Sequence, residues 1–186
     1  MALRIKTKFR TRGPKTIEQR ASVVGFNIWK VAQETYRHMN KEGFKFGNER
    51  QIAATITEVI AFLVQVADRL VYGKLSEEER ARFITSLGRQ LAQTMESNQA
   101  DVFGPGDYVT PFIGTLNSRF QDYAEFDYTA QGPSYHFLRY FGEKVSEALS
   151  ATDNRWVVEH VMEVEAPEAI KLVRRLVHEV LGIKTS

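Results

Sequence analysis

Between Glu49 and Tyr72 apolar residues recur at helical spacing and then fill most of the remaining circumference. Ile52, Ile56, Val59, Ile60, Leu63, Val66, Ala67, Leu70 and Val71 form one stripe, and Ala53, Ala61, Phe62 and Val64 widen it almost to a full cylinder. A helix apolar on nearly every side belongs at the centre of a bundle, wrapped by amphipathic neighbours. Glu58, Asp68 and Arg69 interrupt the run and argue against a membrane span. Glu58, Gln65 and Arg69 fall near one face, which we read as a thin polar edge reaching solvent rather than a buried network.

The segments on either side are amphipathic. Thr16 and Gln19 match a capping box, and Ile17, Ala21, Val24, Ile28, Val31, Ala32 and Tyr36 continue from it as one stripe. Gly25, within that stripe, implies a close helix–helix approach. Ser76 and Glu79 form a second capping box ahead of Phe83, Ile84, Leu87, Leu91 and Met95, a helix expected to fade near Ser97-Asn98. A loop over 99–110 leads to Thr110-Pro111, read as a cap with proline at the first helical position, followed by Phe112, Ile113, Leu116, Phe120 and Tyr123. Ser134 caps a helix with Phe137, Leu138, Phe141, Val145 and Leu149 facing inward. Trp156, Val157, His160, Val161 and Val164 mark another, and Ala166-Pro167 opens a last one carrying Ile170, Val173, Leu176, Val177 and Val180 as far as Gly182. The pattern predicts an all-α fold: a single helical-bundle domain, residues 16–186, of six or seven helices around the central apolar helix at about 49–72.

Charge adds one feature to this picture. The chain carries a formal net charge of only +2, yet residues 1–20 hold seven lysines and arginines against Glu18 alone. Arg4, Lys6, Lys8, Arg10 and Arg12 occupy alternate positions of a basic arm, residues 1–15, and in an extended conformation would share one side. Such an arm suits nucleic acid or another polyanion, bound without base readout and with steep salt dependence. A solvated tail, or a strand pairing with a second copy, is the plainer reading.

The chain contains no cysteine, which excludes disulfides, thiolate metal sites and thiol nucleophiles and fits a reducing compartment. The opening MALRIKTKF has no apolar stretch of the kind a signal peptide needs. A cytoplasmic protein without a membrane span is the expectation.

Candidate chemistry is sparse. His38, His136, His160 and His178 are scattered; His160 and Glu163 share a helical face, as do Glu34 and His38, but no His-Glu-x-x-His motif occurs. No metal and no cofactor is expected from these spacings. Gly-x-Ser-x-Gly and Ser-x-x-Lys are absent, as is a phosphate-binding glycine loop around Gly104-Pro105-Gly106. The most distinctive stretch is Tyr123–Phe141, where seven aromatics are interleaved with acids, His136 and Arg139. Tyr123, Tyr128, Tyr135, His136, Arg139 and Tyr140 are the candidate ligand-binding residues if those hydroxyls line a wet pocket. Core packing or a protein interface would use the same residues.

No reaction emerges from this inventory, and catalytic residues remain unassigned. The reading that fits best is a non-enzymatic, intracellular interaction module that self-associates, with a homodimer as the default state. A small-molecule-binding protein or enzyme with a pocket around residues 123–141 is the alternative, and non-specific nucleic-acid binding through the arm is a second.

Overall fold

The computed structural model describes residues 15–150 and 156–183. The basic-arm residues Arg4, Lys6, Lys8, Arg10 and Arg12 lie outside that range. Within it the chain is all-α, with six helical rods and one two-stranded hairpin of two-residue strands. The rods are α1 (Ile17–Lys41), α2 (Glu49–Val71), α3 (Glu77–Phe103), α4 (Val109–Ala124) and α5 (Tyr135–Leu149), followed by a last rod in three parts. That rod begins as α6 (Val157–His160), widens into a π turn (Val161–Glu165) and continues without a break as α7 (Ala166–Leu181). Between α4 and α5, β1 (Tyr128–Thr129) pairs antiparallel with β2 (Gly132–Pro133). No helix among the described residues is long and apolar enough to cross a membrane.

The central position of α2 follows from its pattern. It packs against α1, α3, α4, α5 and α7, and every residue from Val59 through Asp68 is buried. Phe62 is fully buried and stacks face to face on Phe141 of α5, with ring centroids 3.9 Å apart. Both capping boxes form: Gln19 N–H donates to Thr16 Oγ1 at 3.3 Å, and Glu79 N–H to Ser76 Oγ at 3.2 Å. Ser134 caps α5 by accepting from Phe137 N–H. Gly25 sits where α1 and α3 meet closely, since a Cβ there would stand 3.2 Å from Leu87 Cδ1 and nearer still to the Gln90 side chain.

Four expectations change. Helix α3 runs to Phe103, past Ser97-Asn98, because Asn98 donates back to the Thr94 carbonyl instead of breaking the helix. Helix α4 starts at Val109, and Asp107 rather than Thr110 supplies its first side-chain acceptor, to Thr110 N–H at 3.0 Å. The polar edge of α2 is mostly enclosed and paired, with Glu58 and Arg69 only partly exposed. Glu58 is held in a bidentate pair with Arg119 of α4 (2.7 and 2.8 Å), Arg69 donates to the Tyr123 carbonyl at 3.0 Å, and Gln65 is buried. Finally, Trp156 is 73% exposed and Val164 40% exposed, although helical spacing places both on an inward stripe.

Pro167 accounts for Val164. It lacks the N–H that would bond the Glu163 carbonyl in a regular helix, and its ring collides with that carbonyl. Widening the preceding turn removes the collision, so the Ala166 N–H reaches back five residues to Val161. The extra residue advances the helical phase, turning Val164 outward and Glu165 inward.

Helices α5 and α6 meet backbone against backbone at Gly142. A Cβ on Gly142 would lie 2.9 Å from the Val158 carbonyl oxygen, a backbone atom with no side-chain freedom. Gly142→Ala should therefore destabilise the fold by about 1–3 kcal/mol. Gly114→Ala, on the exposed side of α4 with nothing within 4 Å, should stabilise it by about 0.5–1 kcal/mol. Urea denaturation of the two variants checks both signs; equal midpoints would contradict the close approach.

Candidate functional site

The aromatic segment is divided by the fold. Tyr123, at the end of α4, is buried against Phe62, Phe137 and the edge of Tyr140, its ring 4.4 Å from that of Phe137. Tyr140 donates a short hydrogen bond to Asp122, beside the Glu58–Arg119 pair. Tyr128, on β1, packs edge-on against Phe137, with Arg174 beside its hydroxyl. On the first turns of α5, Tyr135 and His136 are exposed, and Arg139 pairs with Glu143 at 2.8 Å. The six ligand-binding candidates thus separate into Tyr123, Tyr128 and Tyr140, packed into the bundle, and Tyr135, His136 and Arg139, which face solvent. They do not converge on one cavity.

Charge follows the same geometry. Arg119 is held firmly protonated by its hydrogen bonds to Glu58. Burial pushes the Tyr123 hydroxyl well above its ordinary range. Burial and the hydrogen bond to Asp122 push Tyr140 the same way. Tyr128 is also raised by burial, with Arg174 opposing.

Two other features carry more chemistry. The first is a groove of about 780 Å³ between the hairpin, α5 and the outer side of α7. Its floor is apolar, made by Pro133, Leu138, Ile170 and Ile183, and Lys171, Arg174 and Arg175 stand along it. Their spacing on α7 places all three beside one stripe of that helix. Among the described residues none of the three has a carboxylate within 4.0 Å, and Glu179 is the one acid in the lining. His178 lines the same groove, and its Nδ1 is buried without a hydrogen-bond partner.

The second is a convergence of His38, His160 and Glu165. Glu165 closes the π turn with its side chain 6% exposed. Its Oε1 lies 2.6 Å from His38 Nδ1, in the last turn of α1, and 2.9 Å from His160 Nε2. At about 100° per residue, side chains five apart in an α-helix point about 140° apart, so His160 and Glu165 meet only because the π turn lies between them. Glu163, which helical spacing pairs with His160, is exposed. The hydrogen bond that Glu165 accepts from His38 raises the His38 pKa above its ordinary value, with Glu42 adding and burial and Lys41 opposing. The histidine spacings conceal this cluster, since its members come from positions 127 residues apart. A proline just after a His-x4-Glu pair is the one local signal that could have suggested it.

Comparisons of the chain with known protein families, with curated proteins and with solved structures give no match.

The raised tyrosines yield a pH test. The phenolate is the charged form, so burial places the folded-state pKa above the unfolded one. The stabilisation this represents is whole below about pH 10 and is lost as pH rises beyond it. Ultraviolet titration of the folded protein should show a late-ionising group of tyrosines, diminished in Tyr140→Phe. Ionisation of all seven tyrosines together near pH 10 would contradict the packed arrangement.

Proposed function

We propose that this protein is a non-enzymatic interaction module whose α7 groove receives an acidic, amphipathic helical segment of a partner protein. The observation that carries the reading is the pairing of an apolar floor with three cations, Lys171, Arg174 and Arg175, that have no carboxylate partner within 4.0 Å among the described residues. Apolar side chains of a bound helix would bury against Leu138 and Ile170, and its acids would meet the cations along the rim. Helix α7 has 16 residues, about 24 Å of wall, which suits a partner of some four turns. An apolar floor is poorly matched to a nucleic-acid backbone, whose affinity comes from phosphate contacts. In this reading the module works inside the cell as a homodimer, the commonest symmetric state of soluble proteins. The cysteine-free chain suits a reducing compartment.

The test uses the full chain and fluorescent helical peptides that share a leucine stripe but carry glutamate or lysine on the flanks. The acidic peptides should bind, weaken with salt, and lose about tenfold or more in affinity to Lys171→Glu/Arg175→Glu, a change of at least about 1.4 kcal/mol. Equal binding of the lysine peptides, or binding indifferent to the charge reversal, refutes the proposal. Tighter binding of single-stranded DNA at the same groove would replace it. Sedimentation equilibrium tests the dimer separately, and a monomer at every concentration would remove that part alone.

A further inference from the structure

We infer that His38, His160 and Glu165 form a binding site for a divalent first-row transition-metal ion. The three ligand atoms lie within 4.8 Å of one another, and among the described residues no lysine or arginine forms an ion pair with Glu165. A buried carboxylate requires a counter-charge or several donors. For Glu165 the partners are two imidazole nitrogens on one oxygen. A divalent cation held by one lone pair from each imidazole would supply that carboxylate with a full counter-charge.

The spacing is right for such an ion. Donors each about 2.1 Å from a tetrahedral centre stand about 3.4 Å apart, so the two separations to Glu165, 2.6 and 2.9 Å, would widen by under about 1 Å, and the imidazole nitrogens, within 4.8 Å, would close by no more than about 1.4 Å. Two nitrogens and one oxygen select a borderline ion such as zinc over calcium or magnesium, which take oxygen ligands. Three protein ligands leave a position open. His38 is 44% exposed, on a shallow groove that also holds Glu34 and Glu168, which would give such an ion access to solvent. The Phe44 ring packs on His160, with ring centroids 4.8 Å apart. The π turn is the structural argument that this is a built site. A regular helix through Glu165 would carry its carboxylate away from His160, and π turns recur at functional positions. This inference is independent of the α7 groove, which involves none of the three residues.

The experiment uses the full chain, free of affinity-tag histidines and stripped with a chelator. Zinc is titrated against a competing chelating dye, and cobalt(II) provides a visible d–d spectrum as a second probe. One equivalent per chain should bind, with a melting temperature that climbs with free zinc. His38→Gln, at a half-exposed position, should keep the fold by circular dichroism and weaken zinc at least about 100-fold, since loss of outer-shell partners alone costs 10–100-fold. Glu165→Gln should abolish binding and the cobalt spectrum. His136→Gln, exposed on α5, serves as control and should change nothing. Absence of saturable zinc binding, or an affinity that survives His38→Gln, overturns the site. If Glu165→Gln fails to fold, His38→Gln alone decides. A cluster held only by hydrogen bonds would change stability in these variants without any zinc dependence.

Discussion

A helix that is apolar around most of its circumference has to be enclosed, and the arrangement of the other helices answers that requirement. Helix α2 must remove apolar surface from water on all sides, at roughly 25 cal/mol per Å² of apolar area buried. Five helices are needed to do it: α1, α3, α4, α5 and α7. Each can be half-exposed because α2 supplies the apolar surface that they share. The stack of Phe62 on Phe141 fixes the distance between α2 and α5, and Tyr123 and Phe137 extend the aromatic layer from that point. Full enclosure also explains the polar groups on α2. Glu58 and Asp68 are largely withdrawn from water, and each is met by a guanidinium with two hydrogen bonds, Arg119 for Glu58 and Arg80 for Asp68. Burial of one unpaired carboxylate would cost several kcal/mol, so these pairs are conditions of the enclosure.

Much of this was legible in the chain. Helical periodicity, two capping boxes and the break at Gly182 were enough to place the helices, because those signals are local. The parts that were not legible depend on partners distant in sequence. Glu58 and Arg119 are 61 residues apart, and nothing near Glu58 indicates whether the edge it belongs to meets water or a guanidinium. The aromatic segment was ambiguous for the same reason: tyrosine serves equally in a core and at a surface, and the fold uses Tyr123 for one and Tyr135 for the other.

The π turn is a different kind of omission. A count at 3.6 residues per turn assumes that the phase never slips, and Pro167 forces a slip of one residue. Every assignment between Val161 and Glu165 therefore shifts. Val164 leaves the core, Glu165 enters it, and His160 acquires a carboxylate other than the one its spacing suggests. The candidate metal ligands thus meet at the one π turn among the described residues, and the Lys171–Arg175 cations stand on the helix directly beyond it.

The first and last helices are tied together near both of their ends. Arg20, near the start of α1, donates to the Leu181 carbonyl at the end of α7, and His38, near the end of α1, meets Glu165 just before α7 begins. The two helices therefore run antiparallel across a separation of 161 residues at one end and 127 at the other. On a ribosome, α1 emerges first and has no permanent neighbour on that face until α7 has been made. Contacts this distant along the chain slow folding relative to helical proteins built from neighbouring pairs. During synthesis the unsatisfied flank of α1 is apolar surface of the sort that chaperones hold. Closure of the bundle is thus a late event, completed by the same helix that carries the groove.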